Sequence, residues 1–167
     1  MATKAVLFDL DGTLLPMDQD GFVKLYFGAL AKKLAPHGYE ADKLIAAIWQ
    51  GTRVMVKNDG TKSNEAAFWD YFASLFGEEA RKDEPLFEAF YRTDFVQAKG
   101  ACGYTEKAAE LVMAVKEKGL RTALATNPIF PDIATSQRIQ WAGLKKEDFE
   151  LYTTYENSCH CKPNPAY

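Results

Sequence analysis

The stretch "AVLFDLDGTLL", residues 5–15, decides the fold. Ala5 to Leu10 is a nearly continuous apolar run, the pattern of a central strand covered on both faces. Asp9 and Asp11 stand two apart at its end, followed by Gly12 and Thr13. Alternate residues of a strand share a face and lie about 6.6 Å apart. Both carboxylates therefore address one ligand at the C-terminal end of the strand, where open α/β sheets place their sites. Gly12 lets the backbone turn sharply away. Burying two carboxylates is costly unless something compensates them. An ordinary acidic turn is the plain alternative, since Asp-Gly alone is common turn chemistry. The full D-x-D-G-T pattern is rarer, arising by chance on the order of once per thousand chains of this length.

Downstream, the chain repeats the strand–helix alternation. Thr105 is placed to cap a helix running to about Lys118, with Ala108, Leu111, Val112 and Val115 on one face and Gly119 as its stop. "LRTALAT", residues 120–126, reads as a second strand. A helix over 131–142 follows, stopped by Gly143, and "LYTTY", residues 151–155, reads as a third strand. Strand, helix, strand, helix, strand implies a parallel sheet with right-handed crossovers.

Residues 17–100 show no such alternation. Phe22, Leu25, Leu30 and Leu34 give helical spacing before His37-Gly38, and Leu44, Ile45 and Ile48 do so before Gly51. Ser63 is placed to cap a helix carrying Phe68, Tyr71, Phe72 and Leu75, stopped by Gly77. Pro85 suits the first turn of a helix containing Leu86, Phe87, Phe90 and Tyr91. Aromatic residues at this spacing are expected to form core. The predicted organisation is a discontinuous α/β core, residues 1–16 and 101–167, interrupted by a helical segment over 17–100. The polar loop "GTRVMVKNDGTKSN", residues 51–64, offers Arg53, Lys57, Asn58 and Lys62 as candidate contacts to a substrate's leaving group; a solvated connection is the plainer reading.

The 167 residues are 47% hydrophobic and 26% charged with a net charge of −3, ordinary values for a globular domain. The charge gives no basic footprint for nucleic acid or an anionic membrane. No apolar run approaches a membrane span, and strand sequence begins at once, without a secretion signal. Three cysteines, Cys102, Cys159 and Cys161, fit reduced thiols in a cytoplasmic protein. Cys159-His160-Cys161 is too tightly spaced for the usual zinc knuckle, and no second Cys/His pair follows it.

"FDLDGT" resembles the first motif of the haloacid dehalogenase superfamily of phosphohydrolases. Two further places carry the resemblance. The family's second motif is a Ser or Thr ending the next core strand, and "ALATN" puts Thr126 there, followed by Asn127. Its third is a Lys after the following strand, and "CKPNP" puts Lys162 there. The resemblance implies a Rossmann-like α/β core with an inserted helical cap. It implies Asp9 as a nucleophile on phosphorus and Asp11 as general acid and base. It implies Mg²⁺ held by the Asp9 side chain and the Asp11 backbone carbonyl, with Gly12, Thr126 and Asn127 near the phosphoryl group and Lys162 beside it. Dehalogenating members lack an acid two residues after the nucleophile, because a halide leaves without a proton; Asp11 therefore argues for phosphate chemistry.

The family's fourth motif, an acidic pair that completes the metal shell, has no counterpart before Tyr167. The sequence is therefore expected to be an incomplete core, with the first strand left at an open edge. Poor turnover follows from that expectation. The resemblance implies a small phosphorylated substrate and leaves oligomeric state open. Two alternatives stand beside a phosphatase: a phosphomutase of the same family, and a non-catalytic phosphate-binding protein that kept the fold.

Overall fold

The computed structural model describes residues 3–167; Met1 and Ala2, at the start of the 1–16 segment, lie outside it. The described residues form one parallel sheet of three strands in the order β1 (Ala5–Phe8), β2 (Arg121–Leu124), β3 (Leu151–Tyr152). Val6 lies opposite Thr122, Phe8 opposite Leu124, and Leu124 opposite Tyr152. The strands are shorter than the apolar runs that predicted them. β1 ends because Leu10 starts a turn: its carbonyl accepts from both Thr13 N–H (3.1 Å) and Leu15 N–H (2.8 Å). β3 ends because Thr154 N–H turns to the Asn157 side chain at 2.8 Å.

β1 is an edge of this sheet. Phe8 is buried, whereas Leu7, on the opposite face, is 67% exposed. The expectation of a strand covered on both faces is thus corrected: among the described residues one face of β1 lies open.

The crossovers are helical. α5 (Glu106–Glu117) leads into β2 and buries Ala108 and Val112. Leu111, expected on that face, is 51% exposed. Thr105 takes the N-cap position of α5 through its backbone, without a side-chain capping bond. α6 (Asp132–Trp141) connects β2 to β3, and both carboxylate oxygens of Glu156 accept from Asp132 N–H at 2.8 and 3.1 Å. That satisfies a donor left free at the helix N-terminus and places negative charge at its positive end.

Between β1 and α5 lie four α-helices: α1 (Gln19–Leu34), α2 (Ala41–Val56), α3 (Asn64–Phe76) and α4 (Glu84–Thr93). Ser63 Oγ accepts from Ala66 N–H at 3.1 Å, the cap its position predicts. Gly51 does not end α2, which runs on to Val56. A Cβ at Gly51 would lie 2.6 Å from the Phe68 ring, so this glycine serves the close approach of α2 to α3.

The helical segment is fastened to the sheet region at Asn64. This fully buried side chain donates to Pro128 O (3.1 Å) and Cys161 Sγ (3.3 Å), and accepts from Asn58 Nδ2 (2.9 Å). The first backbone donors of α3 also cross over, Asn64 N–H to Ser158 O (2.8 Å) and Glu65 N–H to Tyr155 O (2.9 Å). The Cys159-His160-Cys161 stretch therefore packs: Cys161 is buried against Asn64, and the His160 ring lies where a Cβ on Gly60 would be 2.6 Å away.

Candidate active site

The turn after β1 sets the site. Gly12 adopts φ +78°, a left-handed conformation that other residues adopt only with strain, and its N–H reaches Leu15 O at 2.8 Å. This turn brings Asp9 and Asp11 to the wall of one cavity of about 370 Å³. Thr126 and Asn127, just past the end of β2, line the same cavity. Gly12 shapes the turn and is not among the lining residues.

Lys162 arrives from the loop after β3. Its Nζ donates to Asp9 Oδ1 at 2.8 Å, and its backbone N–H donates to Asn127 Oδ1 at 3.1 Å. Thr13 Oγ1 donates to the other Asp9 oxygen at 3.2 Å. The side chains of Asp9 and Lys162 are 40% and 38% exposed, and so open a pair is worth no more than about 1 kcal/mol of stability. Its effect is local: it places a positive charge and a carboxylate at the cavity together. Tyr167 lies beside the pair, its ring 5.7 Å from Lys162 Nζ and its hydroxyl donating to Thr126 O at 2.8 Å.

Asp11 has a different partner, which the sequence reading did not single out. Arg138 of α6, only 1% exposed, donates from Nη1 to Asp11 Oδ2. The guanidinium also donates to Thr135 Oγ1 (3.2 Å) and Ala134 O (3.4 Å), and stands 4.4 Å from the centre of the Phe130 ring. Asp11 Oδ1 is buried and has no hydrogen-bond partner among the described residues. A sequence signal for Arg138 existed. Ala134, Arg138 and Trp141 recur at helical spacing, so the arginine occupies an apolar stripe, where an unpaired charge is costly.

The four candidate contacts of the helical segment lie elsewhere. Arg53 and Lys57 are exposed on α2 and just beyond it, outside the cavity lining. Asn58 is buried and engaged within its loop: Nδ2 donates to Lys62 O and Asn64 Oδ1, both at 2.9 Å, and Oδ1 accepts from Gly60 N–H at 3.2 Å. Lys62 pairs with Asp70 at 2.7 Å. The cavity wall contributed by the helices is instead aromatic, including Phe22, Phe68, Phe87 and Tyr91, residues whose spacing predicted core alone. The hydroxyls of Tyr26 and Tyr91 lie 3.0 Å apart. Burial pushes the Tyr91 phenol up to about 12 and raises Tyr26 well above the usual tyrosine range, so both are neutral at physiological pH.

The donor set suits a small hard cation in kind. Asp9 and Asp11 offer oxygens only, and one carboxylate oxygen of Asp11 is unengaged. Mg²⁺ characteristically takes one or two carboxylates and keeps several waters. Among the described residues no group of three or more His, Cys, Asp or Glu side chains forms a fuller shell.

A carboxylate pair at the C-terminal end of a parallel strand, with a strand-end threonine and a loop lysine nearby, is set in a Rossmann-like α/β core. A family model of haloacid dehalogenase-like hydrolases matches residues 3–167, and the chain belongs to that family. Among solved structures it is similar to a predicted phosphoglycolate phosphatase from Haemophilus somnus 129PT. The identity is 20%, over 98% of this chain and 68% of that one, with a TM-score of 0.46. No curated protein matches. Among the described residues no helix is long and apolar enough to cross a membrane.

Proposed function

We propose that this protein is a Mg²⁺-dependent phosphatase that hydrolyses a small phosphate monoester through an aspartyl-phosphate on Asp9. The observation that carries the reading is the convergence of Asp9, Asp11, Thr126 and Asn127 on one cavity, with Lys162 Nζ 2.8 Å from Asp9.

An Asp9 oxygen forms a bond to phosphorus as the bond from phosphorus to the ester oxygen breaks. Asp11 gives its proton to the departing oxygen. Water then attacks phosphorus and loses a proton to Asp11. The Asp9–phosphorus bond breaks, releasing inorganic phosphate and restoring both carboxyl groups. Lys162 holds Asp9 in place and offsets the charge of the phosphoryl oxygens, towards which the Thr126 hydroxyl and Asn127 N–H donate. Mg²⁺ held by the Asp9 carboxylate and the Asp11 backbone carbonyl would orient the phosphoryl group and offset its repulsion from Asp9.

The test is a screen of phosphate esters in the presence of Mg²⁺ or EDTA, with wild type beside Asp9→Asn. Phosphate release that needs Mg²⁺ and disappears in Asp9→Asn is expected. Equal release from the two proteins would remove Asp9 as nucleophile.

A further inference from the structure

The cavity over the carboxylates has a composition that phosphate chemistry alone does not require. Its charged lining is confined to Asp9 and Asp11; among the described residues no lysine, arginine, histidine or glutamate lines it. Beyond those acids, Thr126 and Asn127, the walls are mostly rings and aliphatic side chains, with Gln19 and Thr52 as uncharged polar members. Phe22, Tyr26 and Phe130 stand together, with Tyr26 5.6 Å and Phe22 6.2 Å from Phe130, both edge-on. Phe27 and Trp49, 5.4 Å apart, stand on the side of α1 and α2. The polar groups in these walls are few. Two of them, the Tyr26 and Tyr91 hydroxyls, are paired with each other.

A sugar or a short organic acid buried here would lose water from its hydroxyl or carboxylate groups and regain few hydrogen bonds, a direct cost to binding. A flat apolar group would lose little and would meet ring edges and faces on several sides. The volume of about 370 Å³ falls in the range of small-ligand sites.

We infer that the leaving group is an apolar, ring-bearing alcohol, so that the substrate is a monoester such as an arylalkyl phosphate, not a sugar or organic-acid phosphate. This rests on the phosphatase reading above and deepens it. The ring occupies the aromatic chamber beneath the helices, and the ester oxygen lies at Asp11.

Benzyl phosphate and glycerol phosphate test this, because both release primary alcohols and differ chiefly in the group that enters the cavity. Burying a ring of this size contributes about 1.5–3 kcal/mol, so kcat/KM for benzyl phosphate should exceed that for glycerol phosphate about 10- to 100-fold. Trp49→Ala, at a position already 45% exposed and so tolerant of truncation, should narrow that ratio. Equal or inverted values for the two esters in an active enzyme overturn the substrate assignment and leave the phosphatase reading intact. If neither ester is hydrolysed, the phosphatase reading fails, and binding decides the cavity assignment alone. Tryptophan fluorescence should then report benzylphosphonate binding at least about tenfold tighter than methylphosphonate; equal affinities overturn it.

Discussion

Replacing Arg138 by methionine separates the two carboxylates by function. Methionine keeps an unbranched apolar stem on α6 and removes the guanidinium. The change deletes a charge-assisted hydrogen bond to Asp11 Oδ2 and two longer bonds, to Thr135 Oγ1 at 3.2 Å and Ala134 O at 3.4 Å. The first is worth about 1.5–3 kcal/mol and the others about 0.5 kcal/mol each. Relief of a guanidinium that is 1% exposed offsets part of that loss. A net destabilisation of about 2 kcal/mol remains, which for a chain of this size lowers Tm by about 4–8 °C.

The larger effect falls on chemistry. Arg138 is the partner that fixes Asp11 Oδ2, while Oδ1 has none among the described residues. A misdirected acid costs on the order of 100-fold in rate. KM should stay within about twofold, since Arg138 does not line the cavity. The distinguishing measurement is the leaving group. Nitrophenolate departs without a proton, so the loss in Arg138→Met should be large for an alkyl phosphate and small for nitrophenyl phosphate. Arg138→Lys, which restores charge without the planar fork, should fall between. An equal loss on both esters would refute the argument and reduce Arg138 to a folding residue.

Three further outcomes are expected. Asn64→Leu removes three hydrogen bonds at the seam between the helices and the sheet region and leaves Pro128 O without that donor; a loss of about 2–4 kcal/mol should appear in the urea midpoint, and a shift under about 0.5 kcal/mol would contradict the fastening role. Gly51→Ala places a methyl group 2.6 Å from the Phe68 ring, and the strain should exceed the roughly 1 kcal/mol gained in helix propensity, lowering Tm. Burial pushes the Cys102 and Cys161 thiols up to about 11, so at about pH 8 only about one in a thousand of either is thiolate. Peptide mapping after iodoacetamide should find Cys159 labelled first and Cys161, fully buried, last.

The sheet was legible because its information is local. The apolar run before Asp9, the stop at Gly143 and the cap at Ser63 each depend on a few neighbouring residues, and each element formed near its expected place. Gly51 misled because its role depends on Phe68, a residue on another helix. Leu111 misled because helical spacing predicts a face but not whether anything covers it. The same division runs through the site. Asp9, Asp11, Thr126 and Lys162 were marked by motif and strand end. Arg138 and the aromatic chamber were not, because their roles arise from contacts across the chain: Arg138 reaches Asp11 from 127 positions away. Polarity drew attention to Arg53, Lys57 and Asn58, yet the side chains facing the carboxylates are the ones that periodicity assigns to core.

The charges around the site form a balanced set, and that balance bears on the metal. Asp9 is paired with Lys162 and Asp11 with Arg138, so each carboxyl group already faces a cation before any substrate arrives. A phosphate monoester dianion adds two negative charges beside walls that are mostly aromatic, and among the described residues no further cation lines the cavity. Poor solvation there makes uncompensated charge expensive. A divalent cation offsets that added charge more fully than a monovalent one. Phosphonate affinity should therefore rise steeply with Mg²⁺ and little with K⁺ at matched ionic strength, in Asp9→Asn less than in wild type. Binding as tight in EDTA as in Mg²⁺ would mean that Lys162 and Arg138 suffice to hold the phosphoryl group, and the charge argument for the metal would fail.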